Sequence, residues 1–262
     1  MANDTLDKAL SVNGLSYSNK QGMLLKNLSF SISKGGLHAI LSPLGSDSST
    51  LLDLLSGVVT SSSGSVTLLG DPISFTEVTW KKKIGYVPKF PEFYGTMTVY
   101  EVLDFVGDAR SVPLELRVRQ IEEALELLDI SSLEHRLISS LSLGEKKRLG
   151  LAAALLGNPE ILLFDDPTTE FKPLLRMLGG LKTVILGGGD FEIMRELCDD
   201  VVILSEGALI ANGTFAELED KLTNNGETLS LFEFYSSLVE VSRAALTSNR
   251  SRSVLLGEEN QQ

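Results

Sequence analysis

Two adjacent carboxylates, Asp165 and Asp166, follow the apolar run Ile161-Leu-Leu-Phe164. A short apolar run of this kind predicts a strand that is buried on both faces. Carboxylates at the end of a buried strand are costly unless a cation or hydrogen-bond donors lie beside them. We therefore expect positive charge or donor groups next to this pair.

A turn of small residues separates a predicted strand at residues 38–41 from a predicted helix that opens at Ser49 and Thr50. The N-terminus of a helix offers free N–H groups and a positive dipole end to an anion. The layout is that of a phosphate-binding loop, whose usual pattern is G-x-x-x-x-G-K-[ST]. Against that pattern, Ser42 replaces the first glycine, Asp47 the second glycine and Ser48 the lysine. Taken alone, the loop is better interpreted as a plain strand-to-helix turn.

The bulk composition limits the classes of function. The chain has 262 residues, 43% of them hydrophobic, which suits one large α/β domain. Its formal net charge of −12 argues against a nucleic-acid partner. The single cysteine, Cys198, excludes a disulfide framework and a zinc cluster. Without a signal-peptide pattern or an apolar run of about 18 residues, we expect a cytoplasmic chain that reaches a membrane only through partners.

Periodicity and capping signals outline the remaining elements. Alternating residues predict strands at 10–17 and 23–32, and Thr98 with Glu101 forms a capping-box pattern at a helix start. An amphipathic helix is predicted at residues 113–130 and another at about 229–246. The polar residues 247–262 are predicted to be disordered.

Four segments occur in a characteristic order, and together they resemble the nucleotide-binding domain of ABC transporters. These are the turn at residues 42–50, Ile84-Gly-Tyr-Val-Pro-Lys-Phe-Pro91, Leu141-Ser-Leu-Gly-Glu145 and the strand ending in Asp165-Asp166-Pro-Thr168. The resemblance implies an α/β fold of the P-loop NTPase-like ABC ATPase type. That fold has a mostly parallel core sheet, an antiparallel β subdomain and a helical subdomain.

The same resemblance implies a domain layout. We predict an ABC-type nucleotide-binding domain at residues 8–222, within which about 90–158 form the helical and signature subdomain. Residues 223–262 are predicted to form a C-terminal helix and a polar tail.

The resemblance also implies ATP and Mg²⁺ as cofactors. Tyr17 lies about where the family places an aromatic ring against adenine, with an ordinary strand aromatic as the alternative. Ser49 and Asp165 correspond to the residues that hold Mg²⁺. The implied nucleotide-binding set is Tyr17, Ser42, Gly45, Ser46, Asp47, Ser48, Ser49 and Thr50.

The positions that activate water in the family are all altered. Asp166 stands at the catalytic glutamate and is one methylene shorter, by roughly 1.3–1.5 Å. Lys89 replaces a glutamine that reaches the metal, and a charged lysine cannot accept a proton and competes with Mg²⁺. A solvated loop lysine is the favoured interpretation of Lys89.

Two further positions bear on phosphate binding. Gly189 replaces the switch histidine, and Asp47 is expected to bring a carboxylate close to a β-phosphate. Weak or absent ATP binding at this chain's own site follows.

The signature-like segment departs from the family's L-S-G-G-Q at two positions. Ser142 and Gly144 are kept, whereas Leu143 and Glu145 are replacements. The resemblance implies that these four residues face a γ-phosphate bound to a partner chain in a head-to-tail dimer. The alternative is an ordinary helix capped by Ser142.

Three hypotheses remain open at this level. The first is a degenerate subunit of a heteromeric, exporter-type ABC transporter that donates its signature to an intact ATPase partner. It would lie at the inner face of the cell membrane, bound to membrane subunits. The second is a slow but active ABC ATPase, and the third is a non-enzymatic scaffold or regulator with this fold.

Overall fold

Two β-sheets organise the chain, of which the computed structural model describes residues 8–20, 22–74, 76–224 and 230–255. The strands are β1 (Lys8–Asn19), β2 (Gly22–Ser33), β3 (Leu37–Leu41), β4 (Ser63–Leu68), β5 (Asp71–Pro72), β6 (Ile84–Val87), β7 (Ile161–Asp165), β8 (Thr183–Gly188), β9 (Asp200–Ser205) and β10 (Ala208–Thr214). The helices are α1 (Ser46–Ser56), α2 (Val99–Ala109), α3 (Leu114–Leu127), α4 (Leu143–Leu155), α5 (Lys172–Gly179), α6 (Phe191–Leu197), α7 (Phe215–Asn224) and α8 (Leu231–Leu255).

The larger sheet has six strands in the order β10-β9-β3-β8-β7-β6. Strands β9, β3, β8, β7 and β6 are parallel, and β10 adds an antiparallel edge through a hairpin with β9. All residues of β7 and β8 are buried, as expected for parallel strands with helices on both faces. The predicted fold class is confirmed, and the carboxyl ends of β3, β8 and β7 meet at one edge.

The smaller sheet is antiparallel, with the order β2-β1-β4-β5. Its apolar face packs with the buried side of α1 and with β3, β7 and β8 in one hydrophobic cluster. The leucines that α1 contributes are fully or almost fully buried: Leu51, Leu52, Leu54 and Leu55. The helix that follows the predicted phosphate-binding turn is thus fixed between the two sheets.

The helical region contains α2, α3 and α4, which contact one another. Helix α2 begins with the predicted capping box, in which the Thr98 hydroxyl accepts from the Glu101 N–H and the Glu101 carboxylate accepts from the Thr98 N–H. Helix α3 begins directly after Pro113, a residue suited to helix starts. It ends before the predicted residue 130, because Asp129 takes a left-handed backbone angle of φ 55°.

The C-terminal helix packs against the core beside the larger sheet. Leu231 and Tyr235 of α8 are buried in the same core cluster as Phe191 and Phe215. Helix α7 also runs across the predicted boundary at residue 222. The apolar face of α8 is thus covered by side chains of α6 and α7, and the domain boundary itself stays a prediction.

Helix α8 also continues to Leu255, so the prediction of disorder is wrong for residues 247–255. Residues 256–262 of that predicted tail lie outside the described residues. In the part of the chain that the structure describes, no helix has both the length and the apolar character needed to cross a membrane.

Candidate functional site

Three loops meet where the parallel strands end. The Ser42 N–H donates to Gly188 O at 3.0 Å, and the Asp166 N–H donates to Gly187 O at 2.7 Å. Leu41 pairs with Gly188, and Asp165 pairs with Gly187. The structure thus brings the predicted phosphate loop, the carboxylate pair and the glycine run 187–189 to one place.

The phosphate loop is closed by its own serines. The Ser48 N–H donates to Ser42 Oγ at 3.1 Å, and the Ser42 hydroxyl donates to Ser48 Oγ at 3.1 Å. The Ser48 hydroxyl in turn donates to Gly45 O at 3.0 Å, and Ser48 is 0% exposed. Since the N–H groups of a helix start are what binds a phosphate, the Ser42 contact occupies one of them. The residues that replace a glycine and a lysine therefore bond to each other.

The other loop residues have ordinary helix-start geometry. Gly45 precedes α1 with a left-handed φ of 73° and provides no side-chain cap. Ser46 is exposed, and its carbonyl accepts from the Thr50 hydroxyl at 2.8 Å. These residues leave the helix start open to solvent at Ser46.

Asp47 does not point its carboxylate into the loop. Asp47 Oδ2 accepts from the Gly207 N–H at 3.0 Å, in the turn between β9 and β10. Gly207 has a φ of 74°, and a carboxylate makes a charge-assisted bond to the backbone N–H of such a turn. This bond engages the carboxylate at the hairpin, and the expected closeness of Asp47 to a β-phosphate stays a prediction.

Asp165 is buried, with 2% of its surface exposed. Burial raises the pKa of Asp165 to about 6, and the neighbouring carboxylates Asp166 and Asp53 raise it too. A hydrogen bond from the Ser49 hydroxyl and the charge of Lys89 lower the pKa. Asp165 Oδ1 has no hydrogen-bond partner among the described residues.

Asp166 is paired with Lys89. The Lys89 Nζ lies 3.3 Å from Asp166 Oδ2, and both side chains are about half-buried. Strands β6 and β7 are parallel neighbours whose last pair is Val87 with Phe164, and Lys89 and Asp166 each lie two residues beyond that pair. The interpretation of Lys89 as a solvated lysine is therefore wrong.

A second lysine reaches the same residue from the signature helix. Lys147 of α4 is only 6% exposed, and its Nζ donates to the Asp166 carbonyl oxygen at 2.7 Å. Burial lowers the pKa of Lys147, whereas the charges of Asp166 and Asp165 raise it. Sequence reasoning missed this role, because Lys147 stands among three consecutive basic residues with no local sign that one is buried.

Gly189 packs against the phosphate loop. A Cβ at this position would lie 3.3 Å from Ser42 O and 3.5 Å from Pro43 O, which is close contact. The Gly189 carbonyl accepts from the Tyr235 hydroxyl of α8 at 3.0 Å. Sequence reasoning did not identify Tyr235, which lies 46 residues away along the chain.

A divalent cation fits these residues only in part. The Ser49 hydroxyl and the Asp165 carboxylate are oxygen donors of the kind that Mg²⁺ prefers. The next carboxylate, Asp166, is already paired with an ammonium group. Within the described ranges, no group of three His, Cys, Asp or Glu residues is placed to hold a metal ion. With Lys89 in this position, the site as a whole does not fit Mg²⁺.

The signature residues form the start of α4. The Ser142 hydroxyl accepts from the Glu145 N–H at 3.3 Å, and Glu145 Oε2 accepts from the Ser142 N–H at 2.7 Å. This backbone bond lowers the pKa of Glu145, as does the nearby Arg136. Leu143 is 54% exposed, and a Cβ at Gly144 would lie 3.9 Å from Glu170 Oε1, an ordinary contact. The helix start is capped and presented to solvent.

Tyr17 lies in β1 opposite Leu25 and is partly buried against the cluster beneath α1. A contact of this ring with adenine stays a prediction. A cavity of about 870 Å³ lies at the opposite end of the parallel sheet, beside Gly35, Glu160 and Thr183. These residues precede or begin the strands, whereas ligands of such sheets bind at the carboxyl ends. We therefore place the candidate site at the three loops.

Comparisons with known proteins indicate the family. The family described as "ABC transporter" matches residues 25–169. An uncharacterized ABC transporter ATP-binding protein, YxlF of Bacillus subtilis (strain 168), is 32% identical over 232 residues, which cover 86% of this chain and 77% of that protein. The Nod factor export ATP-binding protein I of Rhizobium sp. (strain N33) is 31% identical over 261 residues, 91% of this chain and 84% of that protein. The chain spans 60% of the length of a third relative, from Synechocystis.

Solved structures are similar as well. The structure of cbiO1 from Clostridium perfringens, described as part of the ABC transporter complex cbiONQ, matches with a TM-score of 0.68 and 27% identity. The match covers 83% of this chain and 95% of that one.

Proposed function

Because this chain belongs to the ABC transporter family of ATP-binding proteins, we propose that it is a degenerate subunit of a heteromeric transporter. In this role it does not hydrolyse ATP at its own phosphate loop. It completes the active site of an intact ATPase partner with its signature helix. The family normally binds ATP and Mg²⁺, and this chain binds them weakly or not at all.

The observation that carries the proposal is the internal bonding of the chain's own site. The Ser48 N–H and hydroxyl are bonded within the loop, and Asp166 is paired with Lys89. A bound phosphate would have to displace the Ser42 contact without a lysine to attract it. A carboxylate held by an ammonium group is a poor activator of water, because its charge is already compensated. Both halves of the hydrolytic site are thus engaged with the protein.

The signature end of the chain supports the donor role. Ser142 and Gly144 lie at the exposed start of a 13-residue helix, whose dipole favours an anion. The capping box holds the Ser142 hydroxyl within the chain, and approach of a phosphate would exchange one of these bonds for another. In the proposed donor role, a second chain carries this phosphate as part of its nucleotide.

The partners proposed here are membrane subunits and one intact ATPase subunit, arranged head to tail with this chain. Large apolar side chains on the helical region are exposed in the chain alone, namely Phe90, Tyr94 and Phe105. Such residues suit a protein interface. The similar Rhizobium protein is described as an export ATP-binding protein, which supports an exporter-type assembly at the inner face of the cell membrane.

Steady-state ATPase assays on the purified complex test the proposal through a pair of variants. Ser142→Arg should abolish ATP hydrolysis, because a bulky cation blocks closure of α4 over the partner's nucleotide. Asp165→Asn should leave most of the activity, since the site it alters is not hydrolytic. Ser132→Arg is the matched control, as Ser132 is another exposed serine of the helical region.

The outcomes separate the three hypotheses. A slow but active ATPase predicts that both Ser142→Arg and Asp165→Asn lower activity. A scaffold predicts that neither does, provided that the complexes assemble as the wild type does. Equal effects of the two substitutions in either direction contradict the donor role.

A further inference from the structure

The chain places two lysines beside the carboxylate pair. Asp165 and Asp166 bring two negative charges to the carboxyl end of β7. Lys89 is paired with the Asp166 carboxylate at 3.3 Å, and the buried Lys147 bonds to the Asp166 carbonyl at 2.7 Å. Two positive side chains therefore stand beside two negative ones.

Lys89 lies just beyond the end of β6. It and Asp166 each follow the last pair of β6 with β7, Val87 with Phe164, by two residues, and their side chains meet at 3.3 Å. The Lys89 ammonium also lies 5.8 Å from the centre of the Phe90 ring, a distance at which a cation and an aromatic ring attract. An ammonium group held from two sides occupies a defined place.

We propose that the Lys89 ammonium replaces the divalent cation at this carboxylate pair, so that the site is neutralised without metal. A divalent ion beside Asp165 and Ser49 would be repelled by this fixed positive charge, and it would compete with Lys89 for Asp166. The inference deepens the proposed function, since it gives the reason that this chain's own site lacks Mg²⁺. It concerns the chain by itself and requires no partner.

The first experiment uses thermal unfolding of the full chain with EDTA and with millimolar MgCl₂. Lys89→Gln leaves the carboxylates without their counter-charge, so its melting temperature in EDTA should fall by about 1–4 °C, and MgCl₂ should restore it. The wild type should be indifferent to MgCl₂. Lys89→Arg keeps the charge and should behave as the wild type does.

A control variant and a second substitution make the measurement specific. Lys82→Gln removes the same charge from an exposed lysine and should leave the melting temperature unchanged in both buffers. Lys89→Gln combined with Asp166→Asn removes the cation and one anion together. Its melting temperature should therefore no longer respond to MgCl₂.

Binding of Mn²⁺, followed by its electron paramagnetic resonance signal, provides a direct readout. Lys89→Gln should bind Mn²⁺ at least about 10-fold more tightly than the wild type, a change of roughly 1.4 kcal/mol. Equal Mn²⁺ affinity of the two proteins, or stabilisation of the wild type by MgCl₂, would overturn the proposal. Neither result would contradict the donor role, which depends on Ser142 in the assembled complex.

Discussion

Asp165 carries a burial cost that changes with pH. Its pKa in the folded chain is raised to about 6, chiefly by burial, from an ordinary value of 3.8. A raised carboxyl pKa means that the folded state holds the proton more tightly than the unfolded state. The contribution of protonated Asp165 to the free energy of unfolding is present in full below pH 3.8 and is lost as the pH rises through 6. Above pH 6, the ionised Asp165 therefore lowers the free energy of unfolding.

Asp165→Asn tests this cost directly. Asparagine stays neutral, so the variant should be more stable than the wild type at pH 8, by about 1–3 kcal/mol. The difference should shrink towards zero as the pH falls to 4. Urea unfolding at several pH values measures it. A variant that is less stable than the wild type at every pH would show that the lost contacts of the carboxylate outweigh its burial.

Individual residues also mark the limit of sequence reasoning. The hydrogen bond between Ser49 and Asp165 joins two positions that the family resemblance had already assigned to one site. The bond from Gly207 to Asp47, however, spans 160 residues and depends on how a hairpin packs beside α1. Its residues carry no local pattern that predicts the contact.

At the scale of elements, the strands and helices follow closely from periodicity. Strand β3, predicted at residues 38–41, spans Leu37–Leu41, because an apolar run is followed at once by the turn that begins at Ser42. Periodicity did not predict the pairing of Lys89 with Asp166, because the register between β6 and β7 is set only when the sheet assembles. Helix α8 was predicted as an element, and its contact with the loop at Gly189 was not.

Helix α8 holds this loop through one hydroxyl and a group of aromatic rings. Tyr235 is 2% exposed and donates to Gly189 O, and its ring centre lies 5.5 Å from that of Phe191. Burial raises the pKa of the Tyr235 hydroxyl, which is therefore protonated and able to donate. Gly189 packs on the carbonyls of Ser42 and Pro43, so the bond from Tyr235 connects α8 to the phosphate loop through Gly189.

Tyr235→Phe isolates the hydroxyl from the ring. The variant leaves the buried Gly189 carbonyl without this donor, so we expect a loss of about 1 kcal/mol in the free energy of unfolding. Amide hydrogen exchange at residues 187–190 should become faster, with little change in the central strands. The control is Ser237→Ala, which removes an exposed hydroxyl that donates to Phe234 O within α8. Unchanged exchange at the loop would mean that the Tyr235 hydroxyl does not hold it.

The whole molecule carries a net charge of −12, which affects its association. Two copies of this chain would repel each other in the head-to-tail arrangement, because like charges oppose compact association. In the family arrangement a nucleotide lies between the phosphate loop of one chain and the signature of the other. With the loop closed by Ser42 and Ser48, a pair of identical chains would have neither nucleotide in place. Charge and loop chemistry both favour a different, intact partner.

We therefore expect the purified chain to remain a monomer of 28.4 kDa, with or without MgATP, when its mass is measured by light scattering. Measurement at high salt separates the two causes, because salt screens repulsion between surface charges. A monomer at every salt concentration indicates that the closed phosphate loop is sufficient to prevent pairing. Dimers that form at high salt without nucleotide would assign the monomeric state to charge alone. A dimer that forms at low salt only when MgATP is added would show that this chain's own loop binds nucleotide, which contradicts the proposed degenerate site.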